Sequence, residues 1–369
     1  LPGSGTDASA NGDGSPDATV LDGGAAPDGS DATAAHGDSG VAADAGGEAS
    51  AGDAGGLGHA GPCVDSGYMY PMGCAVVLAS AQNTPRDIAV DAVNVYWCNS
   101  GTPGATDGTI MKVPIGGGTP VTLASGQDNP EFLTIDATTV YWSNLGPGGA
   151  GEVMRVPIAG GTPVTLGAST FPQDLVVDAT YVYWADQKDG EIYRAPIAGG
   201  TQVTFAAAPS AVGVAIDAAR IYWTEVNAAG AVMSKPLDGG AAKTIATGQG
   251  SPWEVVVDAT YAYWRDLDIG GTRFGIAMAP LAGGTPTFIG SLNGSGNLAL
   301  DAKTLYMGTP SSVLGFAVPL TIPDGGAVPY TDFANGQQNP SGLAVDSTSL
   351  YWADLGGFGD GTIMKLTPK

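Results

Sequence analysis

An apolar run ending in Asp, followed a few residues later by a hydrophobic–Tyr–Trp segment, occurs seven times between residues 84 and 369. The aspartates are Asp91, Asp136, Asp178, Asp217, Asp258, Asp301 and Asp346, separated by 45, 42, 39, 41, 43 and 45 residues. The aromatic pair is Tyr-Trp in six copies and Tyr306-Met307 in the remaining one. A period of about 40–45 residues made of short strands is that of a four-stranded propeller blade.

The remainder of each unit supplies two more strands. Thr109-Ile110-Met111-Lys112-Val113-Pro114 recurs as Glu152–Pro157 and Glu191–Pro196, and a Gly-Gly turn then opens Thr119-Pro120-Val121-Thr122-Leu123 and its copies. Glycine at those turns allows positive φ, and proline is tolerated where an outer strand has no partner on one side. No helical periodicity appears, so the reading is all-β. The last unit stops after Ile363–Leu366 without a fourth strand, while Ala75–Ser80 matches Val121–Ser125. Lending the first strand to the last repeat closes a ring and leaves no blade incomplete, which a linear solenoid would have no reason to do. The expected fold is therefore a seven-bladed β-propeller over residues 75–369, with the Val76–Leu78 segment paired to Ile363–Leu366.

Tyr222-Trp223-Thr224-Glu225, Tyr183-Trp184-Ala185-Asp186, Tyr351-Trp352-Ala353-Asp354, Ile192-Tyr193-Arg194 before Gly199-Gly200, and Leu237-Asp238-Gly239-Gly240 resemble the YWTD repeats of low-density-lipoprotein-receptor-type propellers. The likeness covers nearly all of residues 75–369. It implies a shared strand grammar. That family is typically six-bladed, and only one unit here carries Thr after Tyr-Trp.

Residues 1–62 differ in kind: ten acids, no Lys or Arg, and no aromatic side chain. Too little apolar surface is present to offset the entropy of ordering such a segment, so a solvated spacer is expected. The segment resembles the Asp/Gly/Ala-rich spacers that follow the lipid-modified Cys of some secreted bacterial lipoproteins. The chain begins at Leu1, and a leader is expected to have preceded it. Residues 63–74 are read as an entry loop closed by a Cys63–Cys74 disulfide, the ordinary state of such a pair in an exported protein. Cys98 directly follows Tyr96-Trp97 in a strand, where a small buried thiol is the ordinary reading.

Thirteen Lys+Arg against 36 Asp+Glu leave a formal charge of −23, which repels phosphate backbones and argues against nucleic acid as a partner. No run of about 18 apolar residues occurs to cross a bilayer as a helix. The only histidines, His36 and His59, precede the repeats, so no Ser-His-Asp or Cys-His arrangement and no zinc site can be built in the propeller, and no catalytic residue is assigned.

Features present in every blade serve the blade: the seven aspartates are expected to bond their own turn backbone, and the Tyr-Trp pairs to fill the space between blades. A ligand site should lie where the repeats differ. Five units carry Pro six residues before the repeat Asp, followed by unlike pairs: Arg86-Asp87, Glu131-Phe132, Gln173-Asp174 and Trp253-Glu254 in four of them. These eight residues enter the innermost strands and are expected to rim the channel mouth as a ligand site. Asn99, Asn144, Asp186, Glu225, Asp266 and Asp354, after the Tyr-Trp pairs, are placed on the same face. Carboxylates with two aromatics suit a cation, a polyol or a peptide.

The expected function is an extracellular or cell-surface binding module, monomeric, taking a protein, peptide or carbohydrate ligand without a resident cofactor. Two alternatives stay open: a propeller hydrolase or lyase using channel carboxylates with a bound calcium in the central channel, and a structural surface protein with no small ligand.

Overall fold

The repeat aspartate organises each blade from inside. Asp91 Oδ1 accepts the backbone N–H groups of Val93 and Asn94 at 2.7 and 2.6 Å, closing the turn between the first two strands, while its Oδ2 accepts the Tyr96 hydroxyl at 2.8 Å. The hydroxyl bond recurs in every repeat, from Tyr141, Tyr183, Tyr222, Tyr263, Tyr306 and Tyr351 to the aspartate five residues before each. One carboxylate thus satisfies two turn donors and anchors a buried phenol, which explains its presence in all seven units.

The computed structural model describes residues 74–369 apart from 268–273, 292, 293, 295, 321–327 and 358. The spacer at 1–62 and the partner thiol Cys63 of the expected disulfide lie outside the described residues. Seven four-stranded antiparallel sheets follow one another around a ring. Blade 1 runs Pro85–Val90, Asn94–Asn99, Gly108–Pro114 and Val121–Gln127 from inside to outside, and the other blades repeat that order. The seventh sheet is closed by Cys74–Gln82, which pairs outside Gly361–Thr367 with Val76 opposite Lys365 and Val77 opposite Met364. The expected closure is present. The strand begins one residue earlier than the sequence boundary, because Cys74 already pairs with Thr367.

The core lies between blades. Trp97, Trp142, Trp184, Trp223, Trp264 and Trp352 are completely buried. Each apolar cluster is shared by two neighbours: Tyr96, Cys98 and Ile110 of blade 1 meet Leu133, Val140 and Trp142 of blade 2, and Leu78, Tyr351 and Ile363 of blade 7 meet Val95 and Trp97 of blade 1. Tyrosine therefore faces the following blade and tryptophan the preceding one. Full burial of so many aromatic rings is the main driving force for closure.

Two sets of polar clips add direction to that packing. Gln82, Gln127 and Gln337, at the ends of outer strands, accept the indole N–H of Trp97, Trp142 and Trp352 in the next blade at 2.9, 3.0 and 3.0 Å. From the third strands, Lys112, Arg155 and Lys365 donate to the carbonyls of Ile158, Ile197 and Ile115, again one blade onward. Much of the small cationic complement is thus committed to holding the ring together.

In four of the seven blades the residue before the inner strand turns through a left-handed backbone, at Thr84, Asn129, Ser210 and Asn339, with φ of 58°, 54°, 59° and 60°. Asn tolerates that region, whereas the branched Thr side chain is strained there. Thr84→Asn is expected to stabilise the fold by about 0.5–1 kcal/mol, read as a higher urea midpoint. A lower midpoint would show that the Thr84 methyl packs usefully.

Candidate functional site

The inner strands converge on the axis, and the residue four before the repeat aspartate decides what each contributes there. In blades 1, 3 and 5 it is Asp87, Asp174 and Glu254. Each reaches the following blade and accepts a backbone N–H of its inner strand: Leu133 to Asp87 at 2.9 Å, Val214 to Asp174 at 3.0 Å and Leu298 to Glu254 at 2.7 Å. In blades 4 and 7 the position is Gly213 and Gly342, where an added Cβ would lie 2.4 Å from Trp253 O and 2.7 Å from Arg86 O. Glycine is required there because the next inner strand passes too close for any side chain. Carboxylate staples and glycine contacts together set the spacing of the inner strands.

Burial dominates the ionisation of these carboxylates. It pushes Asp87 up to about 6 and Asp174 up to about 7, against the opposing pull of the Leu133 and Val214 N–H bonds. Glu254 is raised well above the usual carboxylate range by burial, with the Arg265 guanidinium working the other way. Burial likewise raises Glu131, opposed by Arg86, whose Nη1 lies 3.6 Å from Glu131 Oε1.

A cavity of about 230 Å³ opens between these strands at the channel mouth. Six of the eight sequence-assigned residues line it: Arg86, Glu131, Phe132, Asp174, Trp253 and Glu254. Asp87 and Gln173 do not. Asp87 sits behind the wall, holding the Ile88 and Leu133 N–H groups and receiving Asn297 Nδ2 at 3.4 Å, and Gln173 is buried. The second group of rim candidates is spent inside the blades. Asn99, Asn144, Asp186, Glu225, Asp266 and Asp354 are all buried. Asp186, for example, accepts the N–H groups of Thr170 and Asp189 at 2.7 and 2.9 Å, and Glu225 accepts the Trp223 indole at 2.9 Å.

Arg265 is the charged wall residue that sequence reasoning did not single out, and Asn339, Ser341 and Leu355 add neutral wall that it also missed. Arg265 occupies the position after the Tyr-Trp pair, elsewhere Cys98, Ser143, Ala185, Thr224, Gly308 or Ala353. That position bridges to the next blade: Cys98 Sγ lies 3.5 Å from Glu131 O, Thr224 Oγ1 donates to Trp253 O, and Arg265 Nη1 donates to Gly296 O at 3.4 Å. Blade 5 uses the same bridge but brings a guanidinium to the cavity, 5.9 Å from the Trp253 ring centroid and beside Glu254. Its being the one charged residue in that column was the available signal. Cys98 is free and buried, as expected.

The site thus combines ionisable groups of both signs with two aromatic side chains in a small enclosed volume. Among the described residues no three His, Cys, Asp or Glu side chains are grouped so as to hold a metal ion.

No protein-family model matches the sequence, and no curated protein sequence matches it. Solved structures do match. The WD40 β-propeller domain of Doa1 is 13% identical with a TM-score of 0.57, over 79% of this chain and 97% of that one. A puromycin-hydrolysing peptidase of Mycobacterium tuberculosis is 15% identical with a TM-score of 0.56, over 75% of this chain and 50% of its own. A gluconolactonase of Xanthomonas campestris is 15% identical with a TM-score of 0.50, over 80% and 90% of the two chains. At these identities the likeness is one of fold: the chain is a seven-bladed β-propeller.

Proposed function

We propose that this propeller is a binding module for a small polar ligand, held in the channel-mouth cavity and displayed at the cell exterior. One observation carries the reading: six of the eight residues that break the sevenfold repeat converge on a single cavity. Blade-forming residues recur because every blade needs them. Non-recurring charged and aromatic residues gathered on the axis have no such structural reason to be there, apart from the N–H staples. The volume lies below the roughly 300–1,000 Å³ of drug-sized sites, which favours a sugar, an amine or a peptide end group over an extended partner. The extracellular placement rests on the acidic spacer and its resemblance to lipoprotein spacers. The YWTD-like strand grammar supports kinship with that class of propeller in the pattern of its strands, and the ligand reading rests on the cavity.

A carbohydrate, peptide and amine screen on the full chain tests the proposal. For any ligand found, Trp253→Ala is expected to weaken binding by about 1–3 kcal/mol without unfolding blade 5, since the half-buried ring faces the cavity rather than the inter-blade core. Unchanged affinity in both Trp253→Ala and Glu131→Ala would place the site elsewhere.

A further inference from the structure

The lining of the cavity is unbalanced in charge. Three carboxylates, Glu131, Asp174 and Glu254, face two guanidiniums, Arg86 and Arg265. The guanidiniums are matched: Arg86 stands beside Glu131, and Arg265 acts on Glu254. Asp174 has no such partner. Among the described residues the charges that couple to it most directly are those of Asp87 and Glu254, both negative. Its two oxygens each accept one backbone N–H, from Leu175 at 2.8 Å and Val214 at 3.0 Å, which leaves half of the carboxylate's four acceptor positions open. Phe132 and Trp253 supply apolar and π surface in the same cavity. An unmatched carboxylate next to aromatic surface is the combination that attracts an organic cation, through charge pairing on one side and the ring quadrupole on the other.

We infer that the cavity selects a small organic cation, a primary or methylated ammonium on a flat or apolar body, with Asp174 as its counter-ion and Trp253 and Phe132 as its walls. This rests on the channel-mouth reading above and narrows its ligand class. A neutral polyol offers the ionised Asp174 no opposite charge, and an anion would add to the excess of negative charge. With all three carboxylates ionised, an ammonium brings the lining to formal neutrality: three negative charges against two guanidiniums and one ligand cation. Burial, with Asp87 adding to it, holds the empty site's Asp174 near pH 7, so cation binding should release a proton in slightly acidic solution. The charged groups around it are Asp87, Glu131 and Glu254, which favour the proton, and Arg86 and Arg265, which oppose it.

The test is calorimetric titration of the full chain with benzylammonium, benzyltrimethylammonium, benzyl alcohol, phenylacetate and glucose. We expect one site for the ammonium probes, with benzyl alcohol at least about tenfold weaker and phenylacetate not bound. Lowering the pH from 8 to 6 should weaken ammonium binding by roughly tenfold, because Asp174 must first lose its proton. Asp174→Asn should weaken it by about tenfold or more and abolish that pH dependence, with the wild-type circular dichroism spectrum retained. Trp253→Ala, in the wall rather than the staple, gives an independent variant should Asp174→Asn misfold. Equal binding of benzyl alcohol and benzylammonium, or ammonium binding unaltered by both variants, overturns the inference. Glucose or benzyl alcohol binding that depends on Trp253 while the ammonium probes fail overturns the cation class but leaves the cavity reading standing. No Trp253-dependent binding by any probe removes both.

Discussion

Deleting residues 1–82 is expected to abolish the cooperative unfolding transition of the propeller. The deletion removes the Cys74–Gln82 strand and leaves Gly361–Thr367 as a bare edge, a template for pairing with other chains. It withdraws Leu78 and Ala79, both buried, from the cluster that covers Val95 and Trp97 of blade 1. It also takes away Gln82, the acceptor for the Trp97 indole and for Asn99 Nδ2, leaving two buried donors short of a partner. A buried Leu is worth about 2–5 kcal/mol and each orphaned buried donor about 1–3. Their sum reaches the whole stability of an ordinary domain, about 5–15 kcal/mol. Chemical denaturation and light scattering should show a broad transition and aggregation. A control lacking only residues 1–62 retains every contact described above and should unfold like the full chain. Matching sharp transitions for both truncations would mean that the ring does not depend on its closing strand.

The same comparison shows why some features could be read from the sequence and others could not. Blade number, closure and the Tyr-Trp core follow from periodicity, because sevenfold repetition gives each assignment seven independent supports. The Asp–Tyr hydroxyl bond was hidden within that regularity: turn chemistry alone explains Asp, and only the folded geometry shows its second oxygen reaching the phenol. The glutamine clips illustrate a harder limit. Gln82, Gln127, Gln249 and Gln337 all stand three residues before an inner-strand proline and all donate their amide to the carbonyl two residues back, yet the Trp264 indole N–H of blade 5 finds no acceptor where Trp97, Trp142 and Trp352 do. Spacing identifies the candidates and even the amide bond, but not whether the indole of the next blade reaches the amide oxygen. The site was partly visible for the opposite reason. Departures from the repeat marked Arg86, Glu131, Phe132, Asp174, Trp253 and Glu254, whereas no sequence rule distinguishes a carboxylate that lines the cavity from Asp87, which lies behind it.

Stability of the ligand-free chain should fall as pH rises from about 5 to 8, the reverse of a protein held together by ionised carboxylates. Asp87 and Asp174 carry folded values of about 6 and 7 against an ordinary 3.8, and burial is the leading cause for both. Between about pH 4 and 7 the folded chain therefore holds protons that the unfolded chain has released. By linkage that excess stabilises the fold at the acidic end, and the benefit is lost as pH passes through the folded values. At about 1.4 kcal/mol per pK unit, and with water in the cavity trimming the effect, the difference between pH 5 and pH 8 should be about 3 kcal/mol. Glu254, also raised by burial, acts in the same direction. The turn aspartates Asp136, Asp301 and Asp346 titrate the other way: burial would raise them too, but their hydrogen bonds outweigh it and hold them below the usual range. Their contribution is present above about pH 4 and is lost only in stronger acid, so it leaves the window from 5 to 8 untouched. The formal charge of −23 also relaxes on acidification, and Asp174→Asn separates the two causes. A general charge effect survives that substitution almost unchanged, whereas the channel effect should lose the share carried by Asp174, which is raised further than Asp87. Urea unfolding of both proteins at pH 5, 6, 7 and 8 is the measurement. Stability that rises over this range in the wild-type chain would mean the channel carboxylates are ionised and matched, and with them the charge imbalance in the cavity would disappear.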